Sequence, residues 1–343
     1  MSLGIHNRAN AQNPKTKEES VRVMFYNVEN LFDTIDDPET DDKQFLPDGI
    51  YHWDTKRYRQ KLKHIAWVIS NISGWDYPGI IGLVEIENDL VIKDLLKQPS
   101  LKNIPYQYAV TKGADPRGID VALLWDSRRY RMVHANEVPH YGRPLNYSLG
   151  QDPRPLEERD GTGRNSLWIT LQNKASRKMI DVFVVHAPSR RGGVRPTTAK
   201  RSEVIEKIQR IIAKTKKSHK DSRIIVMGDF NDNPSSIPIK KVLQARKIEP
   251  KDSIFDSMQL YNLAYPIERE GGGTHCYSGR LWTPDQIIVS GNLLNEIPQK
   301  RIQIFKHSEL WNAKRKIMNR TYTGNFYKGG YSDHLPVFID IKL

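Results

Sequence analysis

Long hydrophobic runs are missing from this chain of 343 residues. The longest apolar stretches, such as residues 80–84, 182–185 and 224–227, extend over only a few positions each. A helix that spans a membrane needs about 20 predominantly apolar residues in succession. These stretches therefore predict buried β-strands, and we expect no transmembrane segment.

Cysteine is also scarce, and Cys276 is the only one in the chain. A single cysteine excludes an internal disulfide and a zinc site built from several thiolates. The sequence also contains no His-Glu-x-x-His motif, no Walker A loop, no Gly-x-Ser-x-Gly elbow and no dinucleotide-binding glycine fingerprint. These absences argue against covalent catalysis by serine or cysteine.

The first twenty residues lack the apolar core of a signal peptide. We predict a disordered tail over residues 1–20 and one domain over residues 21–343, because no repeat, coiled coil or long linker interrupts the chain. The triplet Ala9-Asn10-Ala11 nevertheless resembles the flank of a signal cleavage site, which favours export slightly and leaves the compartment open. Nothing indicates an obligate assembly, so we expect a monomer.

Basic residues outnumber acidic ones by 53 to 40, a formal net charge of +13. The excess is concentrated in residues 190–223, with twelve basic side chains against three acidic ones, and in residues 300–320, with seven against one. Such a charge favours polyanionic partners, either nucleic acid or an anionic lipid surface. Charge runs also mark solvated helix faces, so contact between these regions and a substrate stays open.

Short apolar segments with β-type patterns recur along the chain, and some alternate while others are continuous. This mixture is typical of strands whose sheet packs on a second sheet on one face and on helices on the other. Residues 56–72 and 197–216 each carry one apolar stripe at helical spacing. The predicted fold class is therefore α/β, with two mainly antiparallel sheets packed as a sandwich and flanked by helices. The predicted strands cover residues 21–28, 79–86, 119–125, 166–171, 179–186, 223–228, 286–290 and 335–341.

One segment has neither pattern. Residues 139–164 are rich in proline and glycine, and irregular segments of this length are often functional. A loop on the substrate side and a simple surface insertion both remain open.

Six of the predicted strands carry ionisable or amide side chains at one end. Four of these ends are C-terminal and two are N-terminal, and in antiparallel pairs such ends lie together. Buried carboxylates are costly unless they are paired or hold a cation. Carboxylates and amides without thiolates suit a hard cation such as Mg²⁺, with Mn²⁺ as a substitute. The residues are Asn27, Glu29, Glu85, His186, Asp229, Asn231, Asp285, Asp333 and His334.

The same strand ends resemble, in order, the motifs of the endonuclease/exonuclease/phosphatase (DNase I-like) superfamily. The resemblance extends over about residues 22–337. It implies a four-layer α/β sandwich and metal-dependent hydrolysis of a phosphoester. The motifs are Tyr26-Asn27-Val28-Glu29-Asn30, Leu83-Val84-Glu85-Ile86-Glu87, His186-Ala187-Pro188-Ser189-Arg190, Gly228-Asp229-Phe230-Asn231, Asp285-Gln286-Ile287-Ile288-Val289-Ser290 and Ser332-Asp333-His334.

The resemblance also implies a role for each motif residue. Glu85 would be the principal metal ligand, helped by Asn27, Glu29 and Asp333. The superfamily often has Asp where Glu29 stands, which makes direct metal binding by Glu29 less certain.

Catalytic roles follow in the same way. Asp229 would orient or deprotonate the attacking water, and Asn231 would hold that water or the phosphate. His334 would bind a phosphoryl oxygen or exchange a proton, with Asp285 fixing its tautomer. His186 matches a second histidine of the deoxyribonuclease branch, which implies protonation of the leaving oxygen.

Four further residues beside the motifs are predicted to bind substrate: Arg117, Asp120, Arg190 and His275. A purely structural role for each is an equal alternative. The leading functional hypothesis is a nuclease that cleaves nucleic-acid phosphodiesters, because of the net positive charge and His186. A phosphatase or phospholipase-type enzyme acting on a small or lipid phosphate is the main alternative. A binding protein without catalysis is the remaining one.

Overall fold

The computed structural model describes residues 20–74, 76–140, 163–219 and 221–342. The predicted tail lies outside this part of the chain, apart from Ser20, which already belongs to the first strand. The Ala9-Asn10-Ala11 triplet and most of the irregular segment 139–164 also lie outside it.

The described residues form short strands and helices in alternation. In chain order they are β1 Ser20–Leu31, α1 Thr55–Asn71, β2 Ile80–Ile86, α2 Asp89–Leu96, β3 Tyr106–Val110, β4 Asp120–Asp126, β5 Tyr130–Pro139, β6 Asn165–Asn173, β7 Met179–His186, α3 Val194–Ser218, β8 Arg223–Asp229, β9 Ala245–Arg246, β10 Leu260–Asn262, α4 Tyr265–Arg269, β11 His275–Tyr277, β12 Arg280–Trp282, β13 Asp285–Ser290, α5 Gly291–Leu294, β14 Gln303–Ile304, β15 Trp311–Asn312, β16 Ile317–Met318, β17 Tyr322–Thr323, β18 Phe326–Tyr327 and β19 Val337–Lys342.

Two large sheets organise these elements. The first has the strand order β14-β19-β1-β2-β4-β3 and the second β5-β6-β7-β8-β13-β10-β9. Each sheet is mixed, because β1 runs parallel to β2 and β7 runs parallel to β8 while most other neighbours are antiparallel. The predicted α/β sandwich is confirmed.

Apolar side chains pack in three layers. The first layer lies between the sheets and includes Phe25, Val184 and Met227. The second contains Leu62 of α1 and covers the outer face of the first sheet, and the third contains Ile208 of α3 and covers the second sheet. The order of layers is therefore helix, sheet, sheet, helix. Strands covered on both faces need apolar residues at successive positions, which explains the short continuous runs in the sequence.

The sequence pattern located the two long helices to within a few residues at each end. Other elements lacked a clear pattern and were not predicted: α2, the edge strand β3, and β5, which is exposed over much of its length. None of the helices in the described ranges combines the length and hydropathy needed to cross a membrane.

The strand register brings polar residues together at one edge of the sandwich. In the second sheet, His186 is paired with Asp229 across β7 and β8, and Asp229 is paired with Asp285 across β8 and β13. In the first sheet, Asn27 of β1 is paired with Val84 of β2, immediately before Glu85. Because the two sheets pack face to face, these strand ends meet.

Irregularities in β1 and β2 direct their polar residues. The register shifts between Asn27 and Leu31 and again between Val84 and Ile86. Glu29, Asn30 and Glu85 have φ angles of 52°, 55° and 63°. This left-handed conformation costs an L-residue roughly 1–2 kcal/mol. Bulges of this kind re-aim side chains, and here they turn two glutamates out of the regular alternation.

Two glycines in central strands allow a test of how tightly the sheets are packed. A Cβ added at Gly228 in β8 would overlap the backbone carbonyl of Val185, which cannot move without disturbing β7. A Cβ at Gly82 in β2 would lie 3.0 Å from the flexible end of Met227. We expect Gly228→Ala to lower the free energy of unfolding by about 3 kcal/mol or more and Gly82→Ala by about 1 kcal/mol, measured by urea denaturation. Equal losses would contradict this packing.

Candidate active site

Two carboxylates, Glu85 and Asp229, share one amide donor at the centre of the site. Nδ2 of Asn27 lies 3.1 Å from Oε1 of Glu85 and 3.0 Å from Oδ2 of Asp229. The second Glu85 oxygen accepts the backbone N–H of Asn30 at 3.1 Å. Among the described residues, no Lys or Arg forms an ion pair with either carboxylate. Burial, followed by the acidic neighbours, raises the pKa of Asp229 to about 6.

His334 lies beside this pair and is held by Asp285. Its Nδ1 donates to Oδ2 of Asp285 at 2.8 Å, and Thr274 donates its hydroxyl to the same oxygen. Nε2 of His334 lies 3.8 Å from Oδ2 of Asp229. Burial opposes a charge on His334, but Asp285, Asp229 and Asp333 raise its pKa well above the usual value.

His186 approaches Asp229 from the other side. Its Nε2 lies 3.7 Å from Oδ2 of Asp229 and 3.8 Å from Oε1 of Glu85. Its Nδ1 is buried without a hydrogen-bond partner in the described structure. Burial, reinforced by Arg164 and Arg117, lowers the pKa of His186 well below its usual value. The two histidines therefore flank Asp229 in different states, one neutral and one cationic.

Asn231 follows Asp229 with a left-handed φ of 50°. Its backbone N–H donates to Oδ1 of Asp229 at 2.8 Å, and its side-chain amide donates to the carbonyl of Ala187 at 3.0 Å. Arg190, predicted to bind substrate, donates to the carbonyl of Asn231 at 3.0 Å, pairs with Asp232 and stacks on a tryptophan ring. In this structure Arg190 therefore braces the Asn231 loop.

Glu29 and Asp333 form a second acidic pair at the edge of the site. Both lie beside Arg320, whose guanidinium pairs with Asp333 and places Nε 3.7 Å from Oε1 of Glu29. The backbone N–H of Thr321 donates to Oε2 of Glu29 at 2.7 Å. Burial and the charge of Asp333 raise the pKa of Glu29 to about 7. For Asp333 burial acts in the same direction, but the nearby histidines and Arg320 lower its pKa.

The remaining predicted substrate residues lie in different surroundings. His275 donates from Nδ1 to the carbonyl of Asp333 at 2.9 Å and stacks on His334 at 4.4 Å between ring centroids. Asp120 is buried and accepts the hydroxyl of Thr111 at 2.6 Å, so its carboxylate holds a neighbouring loop. Arg117 is partly exposed near Asp115.

The donor set fits a hard cation. Glu85 and Asp229 both accept from the amide of Asn27 and have no Lys or Arg ion pair in the described residues, and closely placed acids in this state favour a bound positive ion. The amide oxygen of Asn27 accepts the backbone N–H of Glu29 at 3.0 Å, so this side chain also fixes the loop. Two triads have ligand atoms within 4.8 Å of one another: Asp229, Asp285 and His334, and His275, Asp333 and His334.

Four charged residues around the site were not predicted from the sequence. Lys61 is buried and donates to Thr321 Oγ1 at 2.6 Å; its signal was a lysine on the apolar stripe of α1. Arg320 lies in a run of basic residues that carries no distinguishing pattern. Asp232 pairs with the fully buried Arg201, and only the contact itself reveals this pair.

A family model for the endonuclease/exonuclease/phosphatase family matches residues 22–343, nearly the whole described chain. The chain belongs to this family. It is a phosphoesterase of the superfamily with a buried Asp/His group at the predicted place. The superfamily typically uses a divalent metal. A comparison with curated protein sequences gave no match.

Solved structures with the same fold come from bacteria and animals. An endonuclease/exonuclease/phosphatase family protein from Bacteroides thetaiotaomicron is 17% identical with a TM-score of 0.56, over 94% of this chain and 98% of that one. A mannosyl-6-phosphatase from Bacteroides thetaiotaomicron VPI-5482 has the same identity and TM-score, over 93% and 98%. TDP2 from D. rerio, complexed with single-strand DNA product, is 11% identical with a TM-score of 0.53, over 94% and 99%.

Two glutamates of one motif allow a test of the metal site. Glu85 faces the Asp229 cluster, whereas Glu87 accepts the backbone N–H of Asp33 at 2.6 Å. Burial raises the pKa of Glu87 to about 8, so it is mostly uncharged at neutral pH and glutamine replaces it closely. Loss of a group that only supports a metal ligand typically lowers metal affinity by roughly 10–100-fold. We expect Glu85→Gln to lower the affinity for Mn²⁺ by more than this. Calorimetric titration should show little change for Glu87→Gln, and similar losses in both variants would contradict the assignment.

Proposed function

We propose that this protein is a divalent-metal-dependent nuclease that cleaves nucleic-acid phosphodiesters by attack of water. One observation carries the proposal: two histidines flank Asp229, with Nε2 of His186 at 3.7 Å and Nε2 of His334 at 3.8 Å from Oδ2. Hydrolysis of a phosphodiester needs a base for the water and a donor for the departing alkoxide. Asp229 supplies the base, and the cationic His334 is the group that has a proton to give up.

The roles follow from the surroundings of each side chain. Asp229 accepts the proton of the attacking water, because burial raises the pKa of this carboxyl toward neutrality. His334, fixed by Asp285, donates a charged hydrogen bond to a phosphoryl oxygen. His186 is neutral, so it donates only a hydrogen bond from Nε2 to the leaving oxygen. Asn231 holds the phosphate or the water. A divalent ion bound at Glu85, Mg²⁺ or Mn²⁺, supplies charge neutralisation for the phosphoryl oxygens.

Cations on the His186 side favour a substrate with more than one phosphate. Arg117 and Arg164 act electrostatically on His186 and share a single acidic partner, Asp115. Nη1 of Arg164 is buried without a hydrogen-bond partner in the described structure. The Arg117 side chain is 33% exposed, and its guanidinium can pair with a neighbouring phosphate on the leaving-group side, since it matches phosphate geometry. The DNA product bound to the D. rerio neighbour is consistent with this substrate class.

The phosphatase alternative has the same chemistry and one neighbour in its favour, the mannosyl-6-phosphatase. A small phosphomonoester has a single phosphate and needs no cations beyond the reacting centre. The two functions are therefore separated by substrate and by salt dependence, since affinity for a polyanion falls steeply as salt rises.

The first test compares three kinds of substrate in parallel: supercoiled plasmid, phosphomonoesters and lipid phosphodiesters. The wild-type protein is assayed on each with Mg²⁺ or Mn²⁺. We expect metal-dependent nicking of the plasmid, and a loss of roughly 10²–10⁴-fold in Asp229→Asn because the base is removed. Asp340→Asn is the control, since Asp340 of β19 pairs with Arg22 of β1, away from the cluster. Release of phosphate from a monoester, with the plasmid intact, would replace the nuclease by a phosphatase.

The second test concerns Arg117 and Arg164. We expect Arg117→Met and Arg164→Met each to raise KM for an oligonucleotide by about tenfold and to reduce its salt dependence by about one unit of slope. Hydrolysis of bis(p-nitrophenyl) phosphate, which has no second phosphate, should be nearly unchanged. Arg128→Met is the control, because Arg128 pairs with Asp126 at the far end of β4. Equal losses on both substrates would show that the arginines act on the reacting phosphate or on the fold.

A further inference from the structure

The acidic residues of the site divide into two pairs with different counter-charges. Glu85 and Asp229 share the amide of Asn27 and have no Lys or Arg ion pair in the described structure. Glu29 and Asp333 instead have Arg320 between them. The two pairs are therefore not equivalent places for a metal ion.

The contacts of Arg320 are those of a fixed counter-ion. Its guanidinium forms a charged hydrogen bond to Asp333 and lies 3.7 Å from Glu29. The planar, permanently charged fork of arginine suits such a bridge between two carboxylates. Its Nε is buried and lies 3.7 Å from Oε1 of Glu29. This nitrogen has no hydrogen-bond partner in the described residues. The guanidinium therefore lies beside both carboxylates, while 41% of the side chain is exposed.

A second cation lies behind the same pair. Lys61 is 1% exposed, and its ammonium donates to Thr321 Oγ1 at 2.6 Å and to the carbonyl of Tyr331 at 2.8 Å. Thr321 in turn donates its backbone N–H to Glu29. A buried ammonium needs compensating negative charge nearby, and the carboxylates of Glu29 and Asp333 act on it electrostatically. The pair therefore has two basic side chains beside it, Arg320 in direct contact and Lys61 through Thr321.

We propose that Arg320, backed by Lys61, takes the place of a second metal ion, so that the protein binds one divalent cation, at Glu85. Glu29 and Asp333 are then counter-ions of Arg320 and not metal ligands. The inference removes Glu29 and Asp333 from the set of metal ligands predicted from the sequence. It rests on the metal site of the proposed function. Arg320 is accordingly a positioning residue that fixes the acidic pair, whereas Glu85 and Asp229 have no Arg or Lys ion pair in the described residues.

The test is the number and affinity of Mn²⁺ ions bound without substrate, by calorimetry and by electron paramagnetic resonance of bound Mn²⁺. We expect one ion per chain in the wild type. Arg320→Met, which keeps the length and removes the charge, should bind a second ion at Glu29 and Asp333. Arg320→Lys should restore a single ion. Arg301→Met is the matched control, because Arg301 pairs with an exposed glutamate away from the site.

A second variant keeps the inference testable if Arg320→Met folds poorly, which its melting temperature and circular dichroism will show. Glu29→Gln should leave the affinity of the single ion within about threefold, while Glu85→Gln removes it. Two ions in the wild type, one ion in folded Arg320→Met, or equal losses in Glu29→Gln and Glu85→Gln would each overturn the inference without affecting the proposed nuclease. No saturable ion in the wild type would overturn the metal site on which both depend.

Discussion

The burial of several carboxylates at one edge of the sandwich is the constraint on which the rest of the site depends. Each acid is costly in a low-dielectric setting unless positive charge or a hydrogen-bond donor meets it. The structure meets this cost separately for each group: His334 for Asp285, Arg320 for Asp333, and the amide of Asn27 for the central pair. The central pair has no Arg or Lys ion pair in the described residues, and the cation beside it is His334, whose Nε2 lies 3.8 Å from Oδ2 of Asp229.

Bringing these groups together requires backbone strain. Glu29, Asn30, Glu85 and Asn231 all have left-handed φ angles, at roughly 1–2 kcal/mol each for an L-residue. Strain of this kind persists where surrounding structure over-determines it, and it clusters at functional sites. Here the surrounding structure is the three-layer apolar core. Regular strands would alternate their side chains, and β2 could not then turn Glu85 toward His186 of the other sheet.

The fold and the polar strand ends could be predicted from the sequence because both have local signals. Asp229 follows an apolar run and Asp285 precedes one. The antiparallel register of β8 and β13 then places the two residues side by side. Partners that are distant in sequence have no such signal. Arg320 looks like any residue of a basic run, yet it lies between Glu29 and Asp333. Arg190 was predicted to bind substrate, whereas its contacts brace the Asn231 loop, because Asp232 and the stacking partner could not be inferred from spacing.

The net charge of the chain is a weaker guide to the substrate than its size suggests. Part of it is consumed inside the fold: Arg201 is fully buried on Asp232, and Lys216 is buried on a backbone carbonyl, although both lie on the basic helix that follows His186. A charge held by an internal acid contributes little field at the surface. The surface field therefore depends on cations that stay partly exposed, such as Arg117, and not on the total of +13.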